Sequence, residues 1–260
     1  MVVNFLSKWY RTLPIARLFC FHPLDSFICP MMFSNQEIND IIQWDVRSWK
    51  KALHFWEKNV LLDPGKKGLE LGGREGGLSL FLACQGMQVT CSDLEMVEDK
   101  AAPLHRKYGV NGQIQYMDID ATNIPFENHF DVIVFKSIIG GIGRNGNKTI
   151  QKKVFDQIFK ALKPGGLLLF AENLAGSPAH KFFRKKFVRW GNEWRYLTLD
   201  EIQEFLTPFA DVKVMANGCL AAFGRSEFQR RTLSYIDDGL VNFIVPGNWK
   251  YIAMVSARKP

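Results

Sequence analysis

A glycine-rich turn between a short apolar strand and a helix is the feature that most constrains how this chain folds. The stretch Leu69-Glu-Leu-Gly-Gly-Arg-Glu-Gly-Gly77 leads directly into the apolar run 78–83. Glycines suit such a turn because side chains would keep a ligand away from the backbone, and because some of its positions adopt positive φ. Several classes of nucleotide-binding protein share such a turn, so the segments that follow it decide between them.

After this turn, short apolar strands alternate with amphipathic helices. The predicted strands are 68–71, 88–92, 113–117, 130–135, 167–171, 211–216 and 249–257. The predicted helices are 78–84, 96–107, 149–162, 180–190 and 199–206. Strands separated by helices of this length pair in parallel through right-handed crossovers. The sequence therefore predicts a doubly wound, Rossmann-like α/β sheet with helices on both faces.

The two ends of the chain depart from this alternation. Residues 1–34 are aromatic, basic and proline-containing, and they predict an arm that packs across the domain or anchors at a lipid interface. One apolar stripe from Ile38 to Trp56 predicts a helix that Asn35 caps. About thirty mixed residues precede the last strand, and an insertion of that length is usually functional. We expect a cover at 1–58, a nucleotide-binding core at 59–175 and an acceptor side at 176–260.

Composition excludes several classes of protein. The 260 residues are 47% hydrophobic and 23% charged, with a formal net charge of +7, which is typical of a globular protein and gives no sign of nucleic-acid binding. No segment predicts a transmembrane helix or a signal peptide. The five cysteines are scattered, as in a reduced, cytoplasmic enzyme. The histidines are dispersed, so no metal site is predicted.

Three acidic residues follow the first three strands. Glu70 stands two residues before Gly72, Asp93 closes the second strand and Asp120 follows the third. Such carboxylates can accept hydrogen bonds from a ligand that carries an amino-acid group, a ribose and an adenine. Each also has a structural alternative: Glu70 as a cap of the turn, Asp93 as a helix N-cap and Asp120 in an Asx-turn, with Asp118 in its place at the ligand.

Taken together, the motifs resemble class I methyltransferases that use S-adenosylmethionine (SAM). They are the acidic-x-Gly loop, Asp-Ala-x-x-x-Pro-Phe at 120–126, Phe-Asp-Val-Ile-Val at 130–134 and Leu-Lys-Pro-Gly-Gly at 162–166. The resemblance implies SAM as cofactor and a seven-stranded sheet whose last strand inserts antiparallel. The cofactor contacts it implies are Glu70, Gly72, Gly73, Arg74, Gly76, Asp93, Leu94, Asp120, Ala121 and Lys136. Arg74 departs from the family pattern, which has glycine there.

The sequence indicates the residues that bind the methyl acceptor less specifically than those that bind the cofactor. A hydroxyl acceptor needs a general base, and the candidates after the fifth strand are Glu172 and His180, each with the alternative of orienting or capping a helix. The segment 180–194 is basic and aromatic, which predicts either a helix with a core face or a surface patch at a membrane. Residues 44–56, 74–80 and 172–174 resemble, more weakly, bacterial methyltransferases of surface-polysaccharide biosynthesis.

The preferred acceptor is therefore a hydroxyl of a sugar or lipid-linked glycan. An amine or carboxylate of another small metabolite is the enzymatic alternative. A catalytically inactive SAM-binding scaffold and an NAD-dependent dehydrogenase are alternatives of a different class. We expect a cytoplasmic protein with peripheral contact to the inner face of the membrane, and the sequence leaves its oligomeric state open.

Overall fold

The computed structural model describes residues 33–189 and 191–260, so most of the predicted arm lies outside the described residues. The strands are β1 Lys67–Leu71, β2 Gln88–Asp93, β3 Ile114–Asp118, β4 Phe130–Lys136, β5 Leu162–Asn173, β6 Ala210–Asn217 and β7 Ile252–Arg258. The helices are α1 Asn35–Ile42, α2 Val46–Trp49, α3 Lys51–Asn59, α4 Gly77–Cys84, α5 Val97–Lys107, α6 Ile139–Ile142, α7 Lys148–Ala161, α8 Pro178–Phe187, α9 Leu199–Phe205, α10 Glu227–Ile236 and α11 Asn242–Ile244.

The seven strands form one sheet in the order β3-β2-β1-β4-β5-β7-β6. Strands β1 to β5 pair in parallel, whereas β7 lies antiparallel between β5 and β6. This arrangement confirms the predicted Rossmann-like fold, including the antiparallel last strand. Because β2 and β3 extend to one side of β1 while β4 and β5 extend to the other, the order reverses between β1 and β4.

Apolar side chains bury both faces of the sheet. On one face, α1, α3, α4 and α5 pack around Trp49, Trp56 and Phe81. On the other, α7 and α9 pack around Phe135 and Phe155. Burial on both faces explains why the strand segments lack a regular apolar and polar alternation.

The predicted helix from Asn35 to Trp56 is wrong in one respect, because it is three helices. Gln43 and Asp45 have φ of 71° and 45°, and such left-handed residues interrupt a right-handed helix. The cap is also one residue earlier than predicted: the Ser34 hydroxyl accepts a hydrogen bond from Glu37 N, and the Glu37 carboxylate accepts one from Ser34 N. This capping box satisfies two backbone N–H groups at the start of α1.

Helix α8 also differs from the prediction. It begins at Pro178 and ends at Phe187, whereas the predicted helix was 180–190. Of the two alternatives for segment 180–194, the core face does not form on α8, because Phe183 and Phe187 are exposed and the buried residue of α8 is His180.

The insertion before β7 packs against the amino-terminal helices. Asp238 accepts hydrogen bonds from Arg47 and from Lys51, and α10 contacts α2. In the same insertion, the Asp237 carboxylate accepts from three successive backbone N–H groups, starting at Cys219. The insertion and the helices α2 and α3 thus cover the same part of the core. The assignment of a cover to 1–58, a nucleotide-binding core to 59–175 and an acceptor side to 176–260 stays a prediction.

Candidate functional site

The site lies at the carboxyl ends of β1, β2 and β4. The glycine-rich turn begins at Gly72 directly after β1, Asp93 is the last residue of β2, and Lys136 is the last residue of β4. In open α/β sheets, ligands bind outside the carboxyl ends of strands where the strand order reverses. The topology therefore brings these three predicted cofactor contacts to one crevice.

The backbone of the turn requires its glycines. Gly72 and Gly76 have φ of 65° and 74°, a region that residues with a Cβ rarely adopt. A Cβ on Gly72 would also collide with Ile138, and one on Gly76 would collide with His105. Arg74, where the family has glycine, adopts φ of 49°. Position 74 thus has the left-handed conformation that suits glycine, and the arginine there costs about 1–2 kcal/mol of backbone strain.

Glu70 is fully buried beneath the turn. One carboxylate oxygen accepts from Leu78 N (3.1 Å), and the other accepts from Ser79 N (2.7 Å) and the Ser79 hydroxyl (2.6 Å). Burial raises the pKa of Glu70 to about 7, although these hydrogen bonds oppose the rise. The carboxylate therefore caps the start of α4 and holds the turn against it. Its predicted contact with the ligand stays a prediction.

Asp93 joins the glycine-rich turn to β2 through its carboxylate. Oδ2 accepts from Arg74 N (2.9 Å) and Oδ1 accepts from Leu94 N (2.7 Å). The side chain is half-buried and Leu94 beside it is 67% exposed. Two carboxylate oxygens offer about four acceptor positions, so each oxygen can accept one further hydrogen bond from solvent or from a ligand.

The acidic residues after β3 have different contacts. Asp118 accepts from Met96 N and Val97 N, both at 3.2 Å, so it caps α5. Asp120 accepts from Thr122 N at 2.8 Å, which is the Asx-turn alternative, and Ala121 is half-buried next to it. The second oxygen of the exposed Asp120 has no protein hydrogen bond among those of the described residues. A contact of Asp120 and Ala121 with adenine stays a prediction.

Lys136 connects the crevice to the amino-terminal helices. Its ammonium donates to Ile42 O at 2.6 Å and lies 4.5 Å from the ring centroid of Trp44 and 5.4 Å from that of Trp49. Burial lowers the pKa of Lys136 to about 7, while the charge of Glu70 opposes the shift. An aromatic and carbonyl pocket therefore already holds one amine beside the crevice.

Glu172, a predicted catalytic residue, is completely buried at the carboxyl end of β5. It accepts from Ile139 N (2.8 Å) at the start of α6 and from Asn173 N (2.9 Å). Burial raises the pKa of Glu172 to about 7 against the effect of these backbone donors. The contacts favour the helix-orienting alternative for this carboxylate.

His180, the other predicted catalytic residue, is 1% exposed. Nδ1 accepts from Ser177 N at 3.0 Å, and Nε2 lies 2.8 Å from Cys219 O, to which it donates. Burial lowers the pKa of His180, consistent with the neutral tautomer that these contacts define. Both ring nitrogens are engaged, so the contacts favour a capping residue of α8 that also fixes the insertion.

One buried carboxylate near Lys136, Asp45, was not predicted from the sequence. Asp45 Oδ2 accepts from the Tyr251 hydroxyl at 2.5 Å, whereas Oδ1 has no hydrogen-bond partner among the described residues. Burial raises the pKa of Asp45 to about 6. Its position among Trp44 and Trp49 was the available signal, because a carboxylate between two tryptophans is unusual in a helix that packs on a core.

The residues of the crevice fit SAM. Arg74, at a left-handed position of the turn, is exposed, and each Asp93 carboxylate oxygen retains an acceptor position that a ribose hydroxyl would fill. The exposed Leu94 side chain would lie against an adenine. Arg74 and Lys136 supply positive charge for a carboxylate. Within residues 33–189 and 191–260, no group of three or more His, Cys, Asp or Glu side chains could hold a metal ion.

Known proteins with similar sequences are methyltransferases. The C-methyltransferase of ubiquinone and menaquinone biosynthesis from Psychromonas ingrahamii is 32% identical over 142 residues, which are 52% of this chain and 53% of that protein. The glycine/sarcosine/dimethylglycine N-methyltransferase of Actinopolyspora halophila is 25% identical over 215 residues, 73% of this chain and 36% of that protein. The chain thus spans about half the length, or less, of these relatives.

Solved structures share the fold. Phosphoethanolamine N-methyltransferase 2 of Haemonchus contortus, in complex with S-adenosyl-L-methionine, superposes with a TM-score of 0.60 at 20% identity, covering 86% of this chain and 56% of that one. Residues 43–213 match the family described as "Methyltransferase domain". This match covers more than half of the chain, from α2 to β6. The chain therefore belongs to the methyltransferase domain family.

Proposed function

We propose that this chain is a SAM-dependent methyltransferase that acts on a small-molecule acceptor. The observation that carries the proposal is the convergence of the glycine-rich turn, Asp93 and Lys136 at the point where the strand order reverses. Membership of the methyltransferase domain family supports it. SAM would supply an activated methyl group on a sulfonium whose departure needs no acid.

The chain's own residues would bind and orient this cofactor. The Asp93 carboxylate would accept the ribose hydroxyls, and its bond to Arg74 N would fix it relative to the turn. Arg74 and Lys136 would pair with the carboxylate of the methionine part, while Leu94, Asp120 and Ala121 would face the adenine. Such positioning is the main contribution a protein makes to methyl transfer, because the reaction depends on in-line approach at short distance.

For the acceptor, the contacts favour an amine over the hydroxyl of a sugar or lipid-linked glycan. A hydroxyl needs a general base, but His180 and Glu172 are committed to structural hydrogen bonds. An amine needs only to be held and to lose a proton. Lys136 itself occupies the Ile42 carbonyl and the faces of Trp44 and Trp49. The unpartnered oxygen of the buried Asp45 carboxylate could pair with an acceptor ammonium and take its proton before methyl transfer.

The hydroxyl acceptor remains the second candidate, because the same Asp45 oxygen could accept its proton. With a pKa of about 6, this carboxylate is mostly ionised at neutral pH and is a stronger base than an ordinary Asp.

A lipid-linked acceptor would additionally require contact with a membrane. The cytoplasm is the proposed location, and Cys91 and Cys219 are buried free thiols, as in a reducing compartment.

Three measurements test the proposal. Calorimetry with SAM and S-adenosylhomocysteine should show binding of both, and NADH fluorescence should show none. Transfer of labelled methyl groups should then be measured for primary amines, phosphorylated amines and sugar hydroxyls. We expect amine turnover that Asp45→Asn abolishes without weakening SAM binding. Absence of SAM binding would refute the function, whereas SAM binding without turnover of any acceptor class would indicate the scaffold.

A further inference from the structure

Helix α8 turns its aromatic side chains outward, whereas His180 and Arg184 face the body of the protein. Phe182, Phe183 and Phe187 are 60%, 44% and 53% exposed. His180 faces the body of the protein, and Arg184 Nη1 donates to Leu174 O (2.6 Å) and Ala175 O (3.2 Å). A helix that merely covers a core has the opposite orientation. Packing among residues 33–189 and 191–260 therefore does not explain the exposed face of α8.

Basic side chains surround these aromatic rings. Lys181, Lys185 and Lys186 are exposed on the same helix, and segment 176–192 contains no Asp or Glu. The Lys186 ammonium lies 5.7 Å from the Phe187 centroid. Arg225, from the insertion, places its guanidinium 5.3 Å from the same ring. We call the surface formed by these side chains the α8 patch: Lys181, Phe182, Phe183, Lys185, Lys186, Phe187 and Arg225.

The composition of the α8 patch distinguishes between two kinds of partner. Cores of protein–protein interfaces are depleted in lysine, and three exposed lysines interleaved with phenylalanines fit such a core poorly. At a bilayer, aromatic side chains insert at the level of the headgroups while lysine ammonium groups stay among anionic phosphates. The pattern of charge and apolar surface thus matches an anionic lipid surface.

We infer that the α8 patch binds the surface of a bilayer that contains anionic phospholipids. Phe182 and Phe187 insert between headgroups, and Lys181, Lys185, Lys186 and Arg225 contact the phosphates. None of the helices in the described part has both the length and the hydropathy that crossing a bilayer requires. The inference is independent of the identity of the acceptor, because the α8 patch contains no residue placed in the SAM crevice.

Co-sedimentation of the full chain with vesicles tests this inference. We expect binding to vesicles of phosphatidylcholine with one third phosphatidylglycerol, little binding to phosphatidylcholine alone, and a decrease with added salt. Each basic residue near an anionic surface contributes about 1 kcal/mol, which is roughly fivefold in affinity. Charge reversal in Lys185→Glu/Lys186→Glu should therefore weaken binding by at least about 25-fold.

Matched control variants show whether vesicle binding depends on the α8 patch or only on the net charge and on exposed apolar side chains elsewhere. Lys152→Glu/Lys153→Glu changes the net charge equally on the exposed side of α7, and it should bind like the parent. Phe182→Ser/Phe187→Ser should lose binding with all charges intact, whereas Leu61→Ser, at another exposed apolar residue, should not. Circular dichroism and SAM affinity should be unchanged in the patch variants, which shows that they fold.

Three results would overturn the inference. The first is a parent protein that does not bind the anionic vesicles, and the second is binding that persists in both patch variants. The third is a dimer, seen by light scattering, that Phe182→Ser/Phe187→Ser converts to a monomer, because the α8 patch would then join two copies of the chain. A failure of methyl transfer would leave all three readouts unaffected.

Discussion

Replacing Asp93 with Ala removes the carboxylate that joins β2 to the glycine-rich turn. Two backbone donors, Arg74 N and Leu94 N, would lose acceptors at 2.9 and 2.7 Å. Because Asp93 is half-buried, water can replace part of this loss, and we expect about 1 kcal/mol of destabilisation, or a melting temperature lower by roughly 2–4 °C.

The effect on SAM binding should be much larger. The proposed complex contains two hydrogen bonds from ribose hydroxyls to the charged carboxylate, each of which contributes about 1.5–3 kcal/mol. Taking the lower value for a half-buried group, Asp93→Ala should lose about 3 kcal/mol, which is on the order of a hundredfold in the dissociation constant. Calorimetric titration with SAM measures this constant, and circular dichroism measures the melting temperature.

Asp118→Ala is the matched control for this experiment. Asp118 also ends a strand and accepts two backbone hydrogen bonds, from Met96 N and Val97 N, so its loss should destabilise the protein similarly. It should retain SAM affinity within about tenfold, since at most one adenine contact is at stake. Asp93 does not bind the ribose if folded Asp93→Ala binds SAM as tightly as the parent, or if the two variants lose affinity equally.

Three further substitutions test the site and its surroundings. Gly77→Ala places a Cβ against the backbone oxygen of Ile41, so we expect about 1–3 kcal/mol of destabilisation in chemical denaturation; Gly112→Ala, with open space at its Cβ, should change stability little. Arg74→Gly relieves the backbone strain at φ of 49° but makes the unfolded chain more flexible. Because these effects oppose each other, the free energy of unfolding should change by less than about 1.5 kcal/mol. Calorimetry should show weaker SAM binding, because the positive charge is lost. Glu172→Gln should cost more stability at pH 5 than at pH 8. Burial raises the pKa of Glu172 from 4.5 to about 7. Its contribution to the free energy of unfolding is therefore full below pH 4.5 and is lost as the pH rises through about 7, a difference of up to ~3 kcal/mol. Urea titrations that give equal costs at both pH values would contradict a buried, protonated carboxyl group.

The sequence predicted the sheet and the glycine-rich turn because their signals are local. Apolar runs between turn residues define the strands, and the parallel crossover rule then leaves few topologies. Glycines at Gly72 and Gly76 reflect backbone angles that other residues rarely adopt, so a short stretch of sequence already specifies the turn. For the same reason Asp93 could be assigned to the end of β2, next to the turn.

The roles of individual side chains could not be predicted in this way. Whether His180 is a free base or a cap depends on Cys219, which lies 39 residues later in the chain. The inward face of α8 depends on carbonyl groups of the chain before the helix that accept from Arg184. Similarly, Asp45 becomes a buried carboxylate only because Tyr251, near the far end of the chain, packs over it.

The fold, the turn and the residues at the ends of the first strands were thus predictable from sequence, since each depends on the conformational preferences of a few neighbouring residues. The three-dimensional packing, by contrast, specifies which carboxylates and imidazoles are buried, which are hydrogen-bonded and which face of α8 is exposed. These properties arise from contacts between residues far apart in the chain. Burial and hydrogen bonding shift the pKa values of those groups, and no pattern of adjacent residues specifies them.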